Sequence, residues 1–172
     1  MKKVAAVITI FVLALSLVAC GGSSTSTQPQ STSSAQSQKV EQTAAAAKAE
    51  YTAIPAVKSF IANSTGKIQN VYDAAVAYEE AKITKDNTKI VTSNTTLLKT
   101  ATELMTLCTD FMATKNVPEK MQPAHRKLFS AASYICDFAE SMVDGHYAQA
   151  TTALDQASSL IDEGTTLMLQ AS

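Results

Sequence analysis

The sequence has no tryptophan, two histidines, three cysteines, five glycines and four prolines, and only 6% of its residues are aromatic. These shortages remove whole classes of chemistry. There is no His-Glu-x-x-His and no Glu-x-x-His of a di-iron bundle. Cys-x-x-Cys and Cys-x-x-Cys-His are also missing, which excludes thioredoxin-like redox chemistry and covalent haem attachment. No glycine-rich phosphate loop occurs, nor a Gly-x-Ser-x-Gly nucleophile elbow. Fourteen basic residues against fifteen acidic ones give a net charge of −1, so the electrostatic footprint of a nucleic-acid binder is absent. At 172 residues the chain is too short for a two-lobed solute receptor or for a barrel enzyme of about 250 residues. The expectation is a non-enzyme with no cofactor, no metal site and no nucleic-acid partner.

What is present begins with an address. Met1-Lys2-Lys3 is a basic start, and Val4 to Ala19 is an apolar run broken only by Thr9 and Ser16. That run falls short of the ~20 apolar residues a spanning helix needs and suits the h-region of a secretory signal. It ends Leu17-Val18-Ala19-Cys20-Gly21, which resembles the bacterial lipobox: an aliphatic residue, a small or aliphatic residue, a small residue, then Cys. The resemblance implies that Leu17, Val18 and Ala19 are read by the signal peptidase. It also implies that Cys20 carries a diacylglyceryl thioether and becomes the lipidated N-terminus. Each buried acyl CH₂ contributes about 0.8 kcal/mol, and two or more chains hold stably. Cleavage removes Lys2 and Lys3, leaving 12 basic and 15 acidic residues, a net of −3. The expected location is therefore the extracytoplasmic face of a cell membrane, held by the acyl anchor and not by a basic surface.

Composition divides the rest. Residues 1–19 read as signal, residues 20–39 as the lipidated Cys and a tether, and residues 40–172 as the folded domain. Gly21 to Gln38 is almost entirely Gly, Ser, Thr and Gln, with no charge and nothing to bury, which predicts a disordered spacer. From Val40 onward the composition is helical and the apolar residues follow 3–4 spacing. One segment runs Ile90, Leu97, Ala101, Leu104, Cys108, Phe111. The next runs Met121, His125, Leu128, Ala132, Ile135, Ala139, Met142, and the last runs Tyr147, Ala150, Leu154, Ala157, Ile161, Gly164, Met168. No comparable window alternates with period two. The spacing predicts an all-α domain, an up-and-down antiparallel bundle of four to five helices with short loops.

Punctuation places the boundaries. Lys115-Asn116-Val117-Pro118 ends one helix and opens another, with Pro123 making the new first turn irregular. Lys85-Asp86-Asn87 is a break, and Asp144-Gly145-His146 is a tight turn. Pro55 marks a kink or a new start. A further break is expected near Gly66, within Asn63-Ser64-Thr65-Gly66.

Cys108 and Cys136 invite a disulfide. With one helix ending near Thr114 and the next starting near Glu119, counting levels puts Cys108 beside His125. It also sets Cys136 about 16 Å away along the axis, beyond the ~7 Å that a disulfide tolerates between Cα atoms. The expectation is two separate buried thiols, each acting as a small hydrophobe. Cys108 with His125 makes only two of the ligands a metal would need. The adjacent acidic pairs Glu79-Glu80 and Asp162-Glu163 splay by about 100° on a helix and do not converge on one bound atom, so they read as solvated faces.

Two further likenesses touch the domain. Gly145-His146-Tyr147-Ala148-Gln149-Ala150, with Leu154 and Ala157, resembles the second helix of a tetratricopeptide repeat, although no 34-residue period accompanies it. Val117 to Leu169, with its Val-Pro, a His seven residues after the Pro, a short turn and an Ala-rich last helix, resembles small helical lipoproteins of Gram-positive bacteria. That likeness implies no activity and no site residues.

Two functions follow as expectations. One is a non-catalytic interaction module of the cell envelope with a protein partner. Thr95, Thr96, Thr102, Thr106 and Thr109 would give it an uncharged face. The other is a carrier or sensor for an apolar small molecule held among Met105, Met112, Met121, Met142 and Met168, whose ligand-binding residues the sequence does not identify.

Overall fold

The computed structural model describes residues 43–171, and they form an all-α bundle without strands among them. Its helices are α1 (Ala44–Ala53), α2 (Pro55–Thr84), α3 (Asn87–Met112), α4 (Gln122–Val143) and α5 (Tyr147–Gln170), with a 3₁₀ turn at Glu119–Met121 before α4. The expected signal, lipidation site and tether lie outside the described residues.

Each boundary has a local cause. The Thr43 side chain accepts from Ala46 N–H at the start of α1, and Asp86 accepts from Lys89 N–H at the start of α3. Both satisfy amide donors that have no partner inside the helix. Ile54 is extended because Pro55 follows it, so α1 stops and α2 begins with Pro55 in its first turn. Lys85 ends α2 in the left-handed region. Between α4 and α5, Gly145 has φ +75°, His146 N–H reaches Ser141 C=O at 2.8 Å and Gly145 N–H reaches Met142 C=O at 3.4 Å. That is a Schellman closure, and glycine takes its positive φ without a Cβ penalty. Pro123 falls in the first turn of α4, where its missing N–H is not needed, and the preceding 3₁₀ turn is the expected irregularity.

The break expected near Gly66 does not occur: α2 runs unbroken for 30 residues, about 45 Å. Asn63 Nδ2 donates back to Ser59 C=O at 3.0 Å and so supports the helix where a turn was expected. Phe60, Ser64, Ile68 and Val71 are fully buried, a stripe that crosses the glycine without losing phase. Burial of that stripe outweighs the ~1 kcal/mol that a helical glycine costs.

The helices within the α2–α3 pair and within the α4–α5 pair run antiparallel. Phe60 and Lys67 of α2 meet Phe111 and Glu103 of α3, and Lys127 of α4 meets Glu163 of α5. The α2–α3 and α4–α5 hairpins are the two most extensive packings, joined chiefly through α3 on α4. The predicted stripes face inward: Leu97, Ala101, Leu104, Cys108 and Phe111 are buried, as are Leu128, Ala132, Ile135, Ala139 and Met142 and then Ala150, Leu154, Ala157, Ile161 and Met168. Ile90, His125 and Tyr147 are only half-buried, at the rim.

Candidate functional site

Three places combine chemistry with access. The first is the solvent side of α3. Val91, Thr95, Leu98, Thr102, Thr106 and Thr109 are all exposed. At 3.6 residues per turn they share one face, which spans about 27 Å and holds no charged residue. The hydroxyls of Thr95, Thr102, Thr106 and Thr109 donate to the carbonyls of Val91, Leu98, Thr102 and Met105, four residues back, at 2.8–2.9 Å. With its donors already engaged, the face offers methyl groups alongside Val91, 67% exposed, and Leu98, 46% exposed. Beside it, at the far end of the α2–α3 hairpin, an open cleft of about 440 Å³ is lined by Ala77, Ala81, Thr92 and Thr96, with Glu80 and Lys89 at its edge. Ile83, 79% exposed, belongs to the same tip.

The second place is where α1 docks. Tyr51, fully buried, shares a 3.0 Å hydrogen bond between its hydroxyl and His125 Nδ1. The His125 ring packs against Phe111 at 5.1 Å between centroids, and Phe111 stacks on Phe60 at 4.3 Å. Burial pushes the Tyr51 hydroxyl pKa up and the His125 imidazole pKa down, since each loses the water that would stabilise its charged form. His125 is thus a core-edge residue tying α1 to α4. Among the described residues no group of three His, Cys, Asp or Glu could hold a metal ion.

A pH dependence follows. The folded state binds a proton on His125 less readily than the unfolded chain does, whose imidazole titrates near 6.5. Stability is therefore full above about pH 6.5 and falls with acidification, until pH drops below the depressed folded value. The thermal midpoint is expected to be lower at about pH 5.5 than at about pH 7.5. His125→Gln, which can still bond Tyr51, should flatten that difference; an unchanged difference in His125→Gln would assign it to other groups.

The third place is the thiol pair, and here the level count fails. Cys108 of α3 and Cys136 of α4 are neighbours that perturb one another's titration, not thiols kept apart along the axis. The count assumed parallel axes and compared Cα heights. Side chains on antiparallel helices each lean toward their own N-terminus, so Cys108 and Cys136 lean toward one another. Both cysteines are free in the structure; Cys108 is fully buried, whereas Cys136, expected to be buried, is half-buried. The neighbouring Cys136 and burial push the Cys108 thiol pKa up, and the neighbouring Cys108 pulls Cys136 down against its partial burial and the charges of Glu140 and Asp137.

The remaining candidates are structural. Glu79 accepts from Tyr147 at 2.5 Å and from Lys82 at 2.8 Å, bonds that hold its carboxyl below the usual carboxylate range and pin α5 to α2. Met121, Met142 and Met168 are buried in the core, while Met105 and Met112 pack half-buried against it. None of them lines the α2–α3 cleft. Leu17, Val18, Ala19 and Cys20 lie outside the described residues. Among the described residues no helix is long and apolar enough to cross a membrane. Compared with family models, curated proteins and solved structures, the chain matches none.

Proposed function

We propose that this chain is a lipid-anchored, extracytoplasmic lipoprotein whose helical domain is a non-catalytic interaction module of the cell envelope. The observation that carries the module is the uncharged, 27 Å face of α3 described above, from Val91 to Thr109. A solvent-exposed helix face ordinarily carries charge, and a continuous stretch without it is the composition of a protein contact. Support for the anchor is the Leu17-Val18-Ala19-Cys20 motif after its apolar run. Lipid holds the protein at the membrane, and a protein partner engages α3.

Native mass spectrometry of the protein gently extracted from its own membranes tests both halves. The wild-type chain should carry the mass of an acyl anchor and a defined partner protein. Cys20→Ala should leave the membrane fraction or fail to mature. Leu98→Glu should keep the lipid and lose the partner. Membrane retention of Cys20→Ala would remove the anchor, and a partner indifferent to Leu98→Glu would remove the α3 face. A small-molecule mass that leaves on denaturation would instead make this a carrier of an apolar ligand.

A further inference from the structure

We propose that the cleft between the α3–α4 connection and the first turn of α4 binds the carboxylate end of a short peptide, with Arg126 holding the carboxylate. The cleft is open, has a volume of about 370 Å³ and is lined by Thr114, Asn116, Val117, Gln122, His125 and Arg126. That is the small end of the range for ligand pockets, roughly 300–1,000 Å³. None of these residues belongs to the exposed α3 face, so the site is independent of the partner proposed there. Arg126 is the one arginine of the sequence. Its neighbour Lys127 is paired with Glu163 at 2.6 Å, whereas among the described residues no carboxylate pairs with Arg126. Thr114 Oγ1 is buried without a hydrogen-bond partner, an uncommon state for a hydroxyl in a folded protein. An unpaired guanidinium and an unused hydroxyl thus belong to the walls of one cleft.

The lining sets the chemistry of the ligand. Arg126 is its one permanent positive charge, which matches a monoanion, and a guanidinium takes a carboxylate through two parallel N–H···O bonds. The α4 helix starts here with no side-chain cap, so the positive end of its dipole adds to the attraction. A phosphate group carries close to two charges and calls for a second cation. Lys115 and Lys120 are exposed nearby in sequence, but neither lines the cleft. The carboxamides of Asn116 and Gln122 each offer a donor and an acceptor, as a peptide group does. Tyr51 occupies His125 Nδ1, which leaves Nε2 as the ring nitrogen available to a ligand. Val117 adds an apolar wall for a small side chain. A carboxylate, an amide and a small apolar group side by side are the chemistry of a peptide's C-terminal end.

N-acetyl-dialanine is the probe, titrated into the isotope-labelled full chain in detergent micelles and followed by amide NMR shifts. Its C-terminally amidated form and inorganic phosphate serve as comparisons. Signals of Thr114, Asn116, Gln122, His125 and Arg126 should move saturably with the free acid and stay in place with the amidated form. Arg126→Gln should weaken binding by about tenfold or more, through loss of a charge-assisted pair, and Thr114→Val by roughly two- to fivefold. Lys120→Gln removes an equal charge outside the cleft and should bind as the wild type does. Arg126 and Lys120 are both exposed, so neither substitution disturbs the core. Shifts that never saturate, an equal response to the amidated form, or tighter binding of phosphate would each overturn the proposal. Equal losses in Arg126→Gln and Lys120→Gln would overturn it too, by reducing the effect to general attraction between charges.

Discussion

Phe111→Ala is expected to cost about 3–5 kcal/mol and to lower the thermal midpoint by roughly 10–20 °C. Phe111 is fully buried at the end of α3 and meets two other elements there. It stacks on Phe60 of α2 at 4.3 Å with an interplanar angle of 21°, and it packs on His125 of α4 at 5.1 Å. Truncation removes the transfer energy of the ring and leaves a space bordered by three helices, which cannot all close inward at once. The dispersion lost at Phe60 and His125 adds to the cost. A double-mutant cycle with Phe60→Ala should return a coupling of about 0.5–1.5 kcal/mol, the usual range for an aromatic pair. Urea unfolding measures both quantities. Leu98→Ala, on the exposed face of the same helix, should stay within ~0.5 kcal/mol of wild type. Leu98 can thus be altered to probe the α3 face without unfolding the domain.

Two helical glycines should respond in opposite directions to added bulk. A Cβ on Gly164 would lie 2.9 Å from Leu128 Cγ, 3.0 Å from Leu128 Cδ2 and 3.3 Å from the Ala124 carbonyl oxygen. Leu128 is itself buried and the carbonyl belongs to the α4 backbone, so neither yields freely. Gly164→Val should therefore push α5 away from α4 and destabilise by roughly 1–3 kcal/mol, even though it relieves the backbone of glycine's extra freedom. Gly66, by contrast, has nothing within 4 Å of its would-be Cβ and sits in the middle of α2. Gly66→Ala should stabilise by about 0.5–1 kcal/mol through helix propensity alone. Urea midpoints of the two variants decide the point. A stabilised Gly164→Val would mean that α4 and α5 are looser than the contact distances indicate.

Much of the fold is local in origin, and so was legible along the chain. The stripes of α3, α4 and α5 follow from a 3.6-residue period, which any amphipathic helix must show whatever it packs against. The ends at Asp86 and Gly145 follow from a side-chain cap and a positive φ, each a property of one or two residues. The lipobox-like run to Cys20 is likewise a matter of sequence alone, and its consequence waits on the membrane experiment. Tertiary structure decided what depends on partners distant in the chain. Gly66 remains helical because Phe60, Ser64, Ile68 and Val71 are buried by other helices, a contribution that local propensity does not contain. Tyr51 and His125, 74 residues apart, fasten α1 to α4. Cys108 and Cys136 become neighbours because side chains on facing helices lean toward each other, whereas counting Cα levels keeps them apart. Periodicity determines which side of a helix turns inward. The angle at which two such sides meet is settled only when both helices pack.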